Sequence, residues 1–199
     1  GQFFATEFAD PMGADFHIGT GAQHDSRIAS VIAPPDALGA VEPGTIAART
    51  LTNPVLDAEE SFSIPWRRAE IPAANGHGNA RSVAQLQSII ANEGTVGGRT
   101  YLSPEGVAAL FEVQSAGTDL VLGVPTRFGM GFGLNGPESP ISPNKRACFW
   151  GGWGGSLVVN DLDQRLTFSY VMNKMGAGTT GDVRGGGLLM TMYGTLAAA

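Results

Sequence analysis

Residues 149–156 read Phe149-Trp150-Gly151-Gly152-Trp153-Gly154-Gly155-Ser156 and lead into an apolar run. Glycine weakens a buried strand, because it costs backbone entropy and offers no side chain to pack. Two accounts explain so many glycines in one place. The structural account is a bulge or a close packing contact. The chemical account is that side chains are removed so a substrate can lie against the strand and bond its backbone. A backbone N–H there can serve as an oxyanion donor in acyl transfer, with the two tryptophans as apolar walls.

Other patterns match known chemistry in spacing alone. Gly131-x-Gly133-x-x-Gly136 fits a dinucleotide fingerprint, but Pro137, Pro140 and Pro143 follow it, so no helix N-terminus waits for a phosphate. Ser142-Pro143-Asn144-Lys145 fits S-x-x-K. That chemistry needs a helix, with the lysine one turn beyond the serine to take its proton. A proline-rich lead-in to a strand does not supply one. Tyr101-Leu102-Ser103 looks like a Y-x-S element, yet Ser103 reads better as a helix cap. His17, His24 and His77 are scattered, and neither H-E-x-x-H nor C-x-x-C occurs, so no metal is expected. No G-x-S-x-G elbow occurs either, and no cofactor is implied.

The elements that would position residues 149–156 follow from periodicity. Gln2 to Ala9 places Phe3, Phe4 and Phe8 on one helical face, and Asp10-Pro11 is expected to stop it. Residues 19–78 are weakly periodic and read as loops and short helices. Arg81 to Glu93 is a helix ended by Gly94. A second helix starts at Ser103-Pro104-Glu105 and runs to about Gln114. Phe128 to Leu134 alternates glycine with large apolar residues and reads as a strand. Ala147 to Val159 and Leu166 to Asn173 read as a hairpin around Asn160-Asp161-Leu162-Asp163. Val183 to Leu196 reads as a final helix. The class is α+β: a helical and loop region over 1–127, then antiparallel strands and a C-terminal helix over 128–199.

Composition bounds the rest. The 199 residues are 43% apolar and 15% charged, which suits one globular unit. Net charge is -6, so the bulk field repels nucleic acid and anionic membranes, and a small neutral substrate fits better. No apolar run reaches membrane-spanning length, and residues 1–20 do not resemble a secretion signal. Cys148 is the only cysteine, so no internal disulfide forms and no compartment follows.

The run Cys148 to Met175, "CFWGGWGGSLVVNDLDQRLTFSYVMNKM", resembles the third active-site element of the serine β-lactamase and penicillin-binding superfamily. With W-G-G in place of K-T-G it looks like the family VIII carboxylesterases, relatives of class C β-lactamases. Phe3–Gly19 is similar to the segment that follows the family's tyrosine motif, Pro72–Gly94 to the loop and helix bordering its active site, and Leu102–Val107 to its next helix start. The resemblance implies the C-terminal part of the β-lactamase-like fold. It places Trp150, Gly151 and Gly152 at the K-T-G positions and makes the Trp153 N–H one oxyanion donor. It puts Asn75 and His77 in the border loop as substrate contacts, with Arg81 bonding loop carbonyls. Asn173 either contacts substrate or ends its strand. Trp150 replaces a lysine that would meet a substrate carboxylate, which favours neutral esters.

The family's serine, lysine and tyrosine have no counterpart in these 199 residues. The resemblance therefore implies a companion N-terminal segment of the same protein, supplying the nucleophile to a small-molecule ester. The competing expectation is a non-catalytic binding module on the same scaffold. Intact-mass measurement separates a retained companion from its absence: a single species near 20.6 kDa excludes it.

Overall fold

The computed structural model describes residues 1–34 and 41–198. Helix begins with α1 (Gln2–Phe4), continues through a π-helical turn (Ala5–Ala9), and ends with α2 (Asp10–Met12). The aromatic face forms as expected: Phe4 meets Phe16 edge-on at 5.6 Å, and Phe8 stacks on Tyr101 at 6.0 Å. Asp10-Pro11 does not stop the helix. Pro11 has no N–H to give, and the wider π turn ahead of it absorbs the mismatch. Termination falls at Gly13, φ 62°, where the Ala14 N–H reaches the Ala9 carbonyl at 2.9 Å.

The segment read as loops carries local order. Strand β1 (Phe16–Ile18) pairs antiparallel with β2 (Gly76–Gly78), and short helices α3 (Ile46–Leu51) and α4 (Ile64–Arg68) lie between them. Helix α5 (Ala80–Ala91) starts on a capping box in which Asn79 and Ser82 each receive the other's backbone N–H. Gly94, φ 86°, follows it. A Cβ there would lie 2.2 Å from the Leu102 carbonyl oxygen, so only glycine fits. A small hairpin of β3 (Thr95–Val96) and β4 (Arg99–Thr100) leads to α6 (Pro104–Leu110), capped by Ser103. That helix stops before Gln114.

The main sheet has six strands: β5 (Ser115–Thr118), β6 (Pro125–Phe128), β7 (Gly133–Leu134), β8 (Ala147–Gly151), β9 (Leu157–Asp161) and β10 (Leu166–Tyr170). All pairs are antiparallel, in the order β10-β9-β8-β7-β6-β5. Two sequence expectations are corrected here. The run from Phe128 to Leu134 is not one strand: residues 129–132 form a corner between β6 and β7, turned at Gly131 (φ 81°), where Gly129 packs against the Leu110 carbonyl of α6 too closely for a Cβ. Ala147 to Val159 is two strands, β8 and β9, joined by the glycine run. Gly154 (φ 93°) and Gly155 (φ 118°) reverse the chain there.

Helix α7 (Val183–Ala197), capped by Asp182, closes the other face. Two cores result. Ile90, Val107, Leu134, Cys148 and Leu162 pack under α5 and α6, while Leu157, Val159, Leu189 and Tyr193 pack under α7. The molecule is therefore helices, sheet, helix, with period-two alternation along β8 and β9 feeding each side. Among the described residues, no helix is long and apolar enough to cross a membrane.

Asp161 ties the α7 side together. It is fully buried and accepts from the Ser142 hydroxyl (2.7 Å), the Asn144 amide (2.8 Å), the Tyr193 hydroxyl (2.8 Å) and the Gln164 N–H (3.0 Å). Burial alone would raise its pKa. The bonds from Asn144, Ser142 and Tyr193 outweigh that and hold it below the ordinary 3.8. Ser142 is thus spent as a donor to a structural carboxylate. Asp161→Asn turns an amide donor toward these groups and should cost about 3 kcal/mol in urea denaturation at neutral pH. The wild-type advantage is full above 3.8 and fades as the pH falls through the lower folded value.

Candidate active site

Alternation along β8 sorts its side chains. Cys148 faces α5 and α6, Phe149 faces α7, and alternation puts Trp150 on the face of the strand opposite Phe149. Burial pushes the Cys148 thiol up to about 12, so it is a core residue and not a thiolate nucleophile. The Trp150 ring lies 5.0 Å from that of Phe128. Both border a shallow pocket of about 80 Å³ with Leu122, Val124 and Thr180. This apolar notch sits beside the end of β8.

Gly151 faces the α7 side, and its surroundings decide between the two accounts of the glycine run. A Cβ on Gly151 would lie 2.3 Å from both the carbonyl carbon and the oxygen of Thr180. The close approach at Gly151 is made by the chain itself. Gly152 crowds Ser156, Gly154 crowds Met172 and Met175, and Gly155 crowds Asp182. Self-packing thus accounts for glycine at 151, 154 and 155, whereas Gly152 meets only the Ser156 side chain.

The turn is fastened from several directions. The Gly152 N–H bonds the Ser156 carbonyl (2.8 Å), the Gly154 N–H bonds that of Gly178 (2.9 Å), and the Gly155 N–H bonds that of Gly152 (3.1 Å). The Gly154 carbonyl accepts from the Gly176 N–H (2.7 Å) and from Arg184 Nη2 (2.9 Å). Arg184 also pairs with Asp182 and bonds the Lys174 carbonyl (2.8 Å). The carboxyl of Asp182 is held below its usual range by that guanidinium. In the middle of this lattice, the Trp153 N–H has no acceptor among the described residues. Its neighbours on both sides do. Arg184, which sequence reasoning passed over, is the positioning residue for this corner. A cation just inside a helix, behind a glycine-rich segment, is a weak signal for such a role.

The other expected site residues lie elsewhere. Asn75 is 2% exposed, and its amide is consumed by the chain: it donates to the Trp66 (2.9 Å) and Ala69 carbonyls and accepts from the Ile71 N–H (3.0 Å). Asn75, not Arg81, fastens the loop carbonyls. Arg81 is exposed, and its side chain makes no hydrogen bond among the described residues. His77 sits on β2 opposite His17, with Nδ1 buried and unpartnered. Burial lowers its pKa, so it is neutral at neutral pH. Asn173 lies beyond β10, and its carbonyl accepts from the Ile32 N–H at 2.7 Å. Its side chain is exposed. Among the described residues, no three His, Cys, Asp or Glu are placed to hold a metal.

Residues 1–187 match a known family model described as Beta-lactamase. The chain belongs to this family. The Esterase/beta-lactamase LipL of Mycobacterium tuberculosis is 32% identical over 188 residues, which is 86% of this chain and 42% of that protein. The crystal structure of a family VIII carboxylesterase is 37% identical with a TM-score of 0.83, covering 97% of this chain and 51% of the other. A penicillin-binding protein homolog from Caulobacter crescentus is 30% identical with a TM-score of 0.80, covering 98% and 52%. This beta-lactamase-family chain therefore spans about half the length of the proteins it matches. The family and fold expected from the sequence are both shown.

Gly151→Ala tests the self-packing of the corner. The added methyl must displace the Thr180 backbone, which should cost about 1–3 kcal/mol and lower the melting temperature. An unchanged melting temperature would show that residues 178–181 do not press on β8.

Proposed function

We propose that the chain forms the oxyanion wall of a serine ester hydrolase. The nucleophile comes from a companion N-terminal segment of the same protein. The observation that carries this is the Trp153 N–H, held in a fastened turn yet left without an acceptor. A donor prepared in this way costs no reorganisation when charge develops on a carbonyl oxygen. The names of the relatives, an esterase/beta-lactamase and a family VIII carboxylesterase, support the same reaction class.

In this reading the companion's serine attacks the ester carbonyl, and the Trp153 N–H bonds the resulting oxyanion. Collapse expels the alcohol, and water then clears the acyl-enzyme. Trp150 and Phe128 offer an apolar wall to the ester. An indole at position 150 leaves a substrate carboxylate unpaired, so neutral esters are preferred. The outer edge of β10, paired on one side only, offers the companion a docking place.

Trp153→Pro in the complete protein removes the N–H. It should lower kcat for p-nitrophenyl butyrate by about 100-fold, the scale of one oxyanion donor. Undiminished kcat would remove Trp153 from the reaction. Trp150→Lys should raise the kcat/KM ratio of a carboxylate-bearing β-lactam such as nitrocefin over p-nitrophenyl butyrate. The 199-residue chain alone should not be labelled by a fluorophosphonate, and labelling at Ser142 would overturn the need for a companion.

A further inference from the structure

A second, larger pocket of about 380 Å³ opens between the end of α6 and the start of β8. Its walls are of two kinds. Ala108, Phe111, Leu134 and Ala147 supply an apolar floor, and Arg127, Lys145 and Arg146 supply cations. Three of the chain's twelve Lys and Arg residues thus converge on one pocket of a molecule whose net charge is -6. Arg146 is paired with Glu93 at 2.8 Å. Arg127 and Lys145 make no ion pair within 4.0 Å and no side-chain hydrogen bond among the described residues. Arg127 is half-buried, so its guanidinium has lost part of its water without gaining a partner.

The pocket's shape is fixed by bonds that do not use these cations. The Asn135 amide donates to the Ser142 (3.0 Å) and Asn144 (2.7 Å) carbonyls and accepts from the Ile141 (2.8 Å) and Ser142 (3.1 Å) N–H groups. The loop that delivers Lys145 is therefore set before any ligand arrives. Asp161 secures the same loop through Ser142 and Asn144. Ala147 begins β8 and Gly151 ends it, so the pocket lies about 13 Å along the strand from the glycine corner. Arg127 borders both this pocket and the shallow one beside Trp150.

We propose that this pocket binds a small organic anion, a carboxylate carried on an apolar body. Arg127 and Lys145 meet the carboxylate, and Phe111 and Leu134 cover the body. Two cations with free donors attract the charge, and the guanidinium fork suits two carboxylate oxygens. The apolar floor rewards a hydrocarbon or aryl group over a bare inorganic ion. This inference stands apart from the ester reading, because it uses neither Trp153 nor the companion.

Titration calorimetry with benzoate, benzamide and inorganic phosphate, on the 199-residue chain and on the complete protein, tests it. Benzoate should bind, while benzamide and phosphate should be at least about tenfold weaker, since each lacks one of the two features. Lys145→Gln and Arg127→Gln should each weaken benzoate by about tenfold. Ala108→Trp, at an exposed helix position, should block the pocket without unfolding the chain. Equal binding of benzamide would overturn the role of the cations. Equal binding of phosphate would overturn the apolar body. No benzoate heat up to about 10 mM, or unchanged affinity in Lys145→Gln and Ala108→Trp, would overturn the site.

Discussion

Main chain presses on main chain at Gly151, and the architecture of the glycine corner depends on that contact. The Thr180-Gly181 backbone approaches β8 at a distance that admits no Cβ. Once it is there, the Gly178 carbonyl and the Gly152 carbonyl find N–H partners, and Arg184 closes over the Gly154 carbonyl. The turn between β8 and β9 is thereby fixed by hydrogen bonds from three directions. A stiff turn is what leaves one N–H pointing to nothing. In a looser turn the Trp153 N–H would rotate to the nearest carbonyl.

Asp161 performs a comparable service on the opposite end of the sheet. Four donors from the 142–144 loop, the β9 turn and α7 converge on one buried carboxylate. It joins the proline-rich segment to the C-terminal helix, which lies far from it in sequence. The two anchors use different physics. Around Gly151 the constraint is steric and involves backbone alone, whereas at Asp161 it is electrostatic and involves side chains.

Much of this was legible in the sequence. The aromatic face of residues 2–8, the cap at Ser103 and the final helix follow from local rules and form, whereas the helix read to Glu93 ends at Ala91, with the left-handed turn on Glu93 (φ 56°) ahead of Gly94. The match of Cys148 to Met175 to the third active-site element pointed to the right family. Strands were legible where β-branched and aromatic residues cluster, as in β9 and β10. They were not legible at Ser115-Ala116-Gly117-Thr118, which has no alternation and becomes a strand only because β6 pairs with it. The glycine run was misplaced as strand interior because composition alone does not distinguish a turn from a bare strand. The signs of φ at Gly154 and Gly155 do. The bonding of Asn75 was not legible because its partners, the Trp66 and Ala69 carbonyls, lie nine and six residues back along the chain and are brought to it by folding.

The contact at Gly151 also bears on how freely the neighbouring sequence can drift. Thr180 touches β8 through its carbonyl group, while the residue itself is exposed. Nearly any amino acid at position 180 presents the same carbonyl to the strand. The contact therefore demands glycine at 151 and makes no demand on the side chain at 180. Position 180 borders the pocket beside Trp150. The side chain at 180 can therefore change the rim of that pocket while the geometry of the glycine turn stays unchanged.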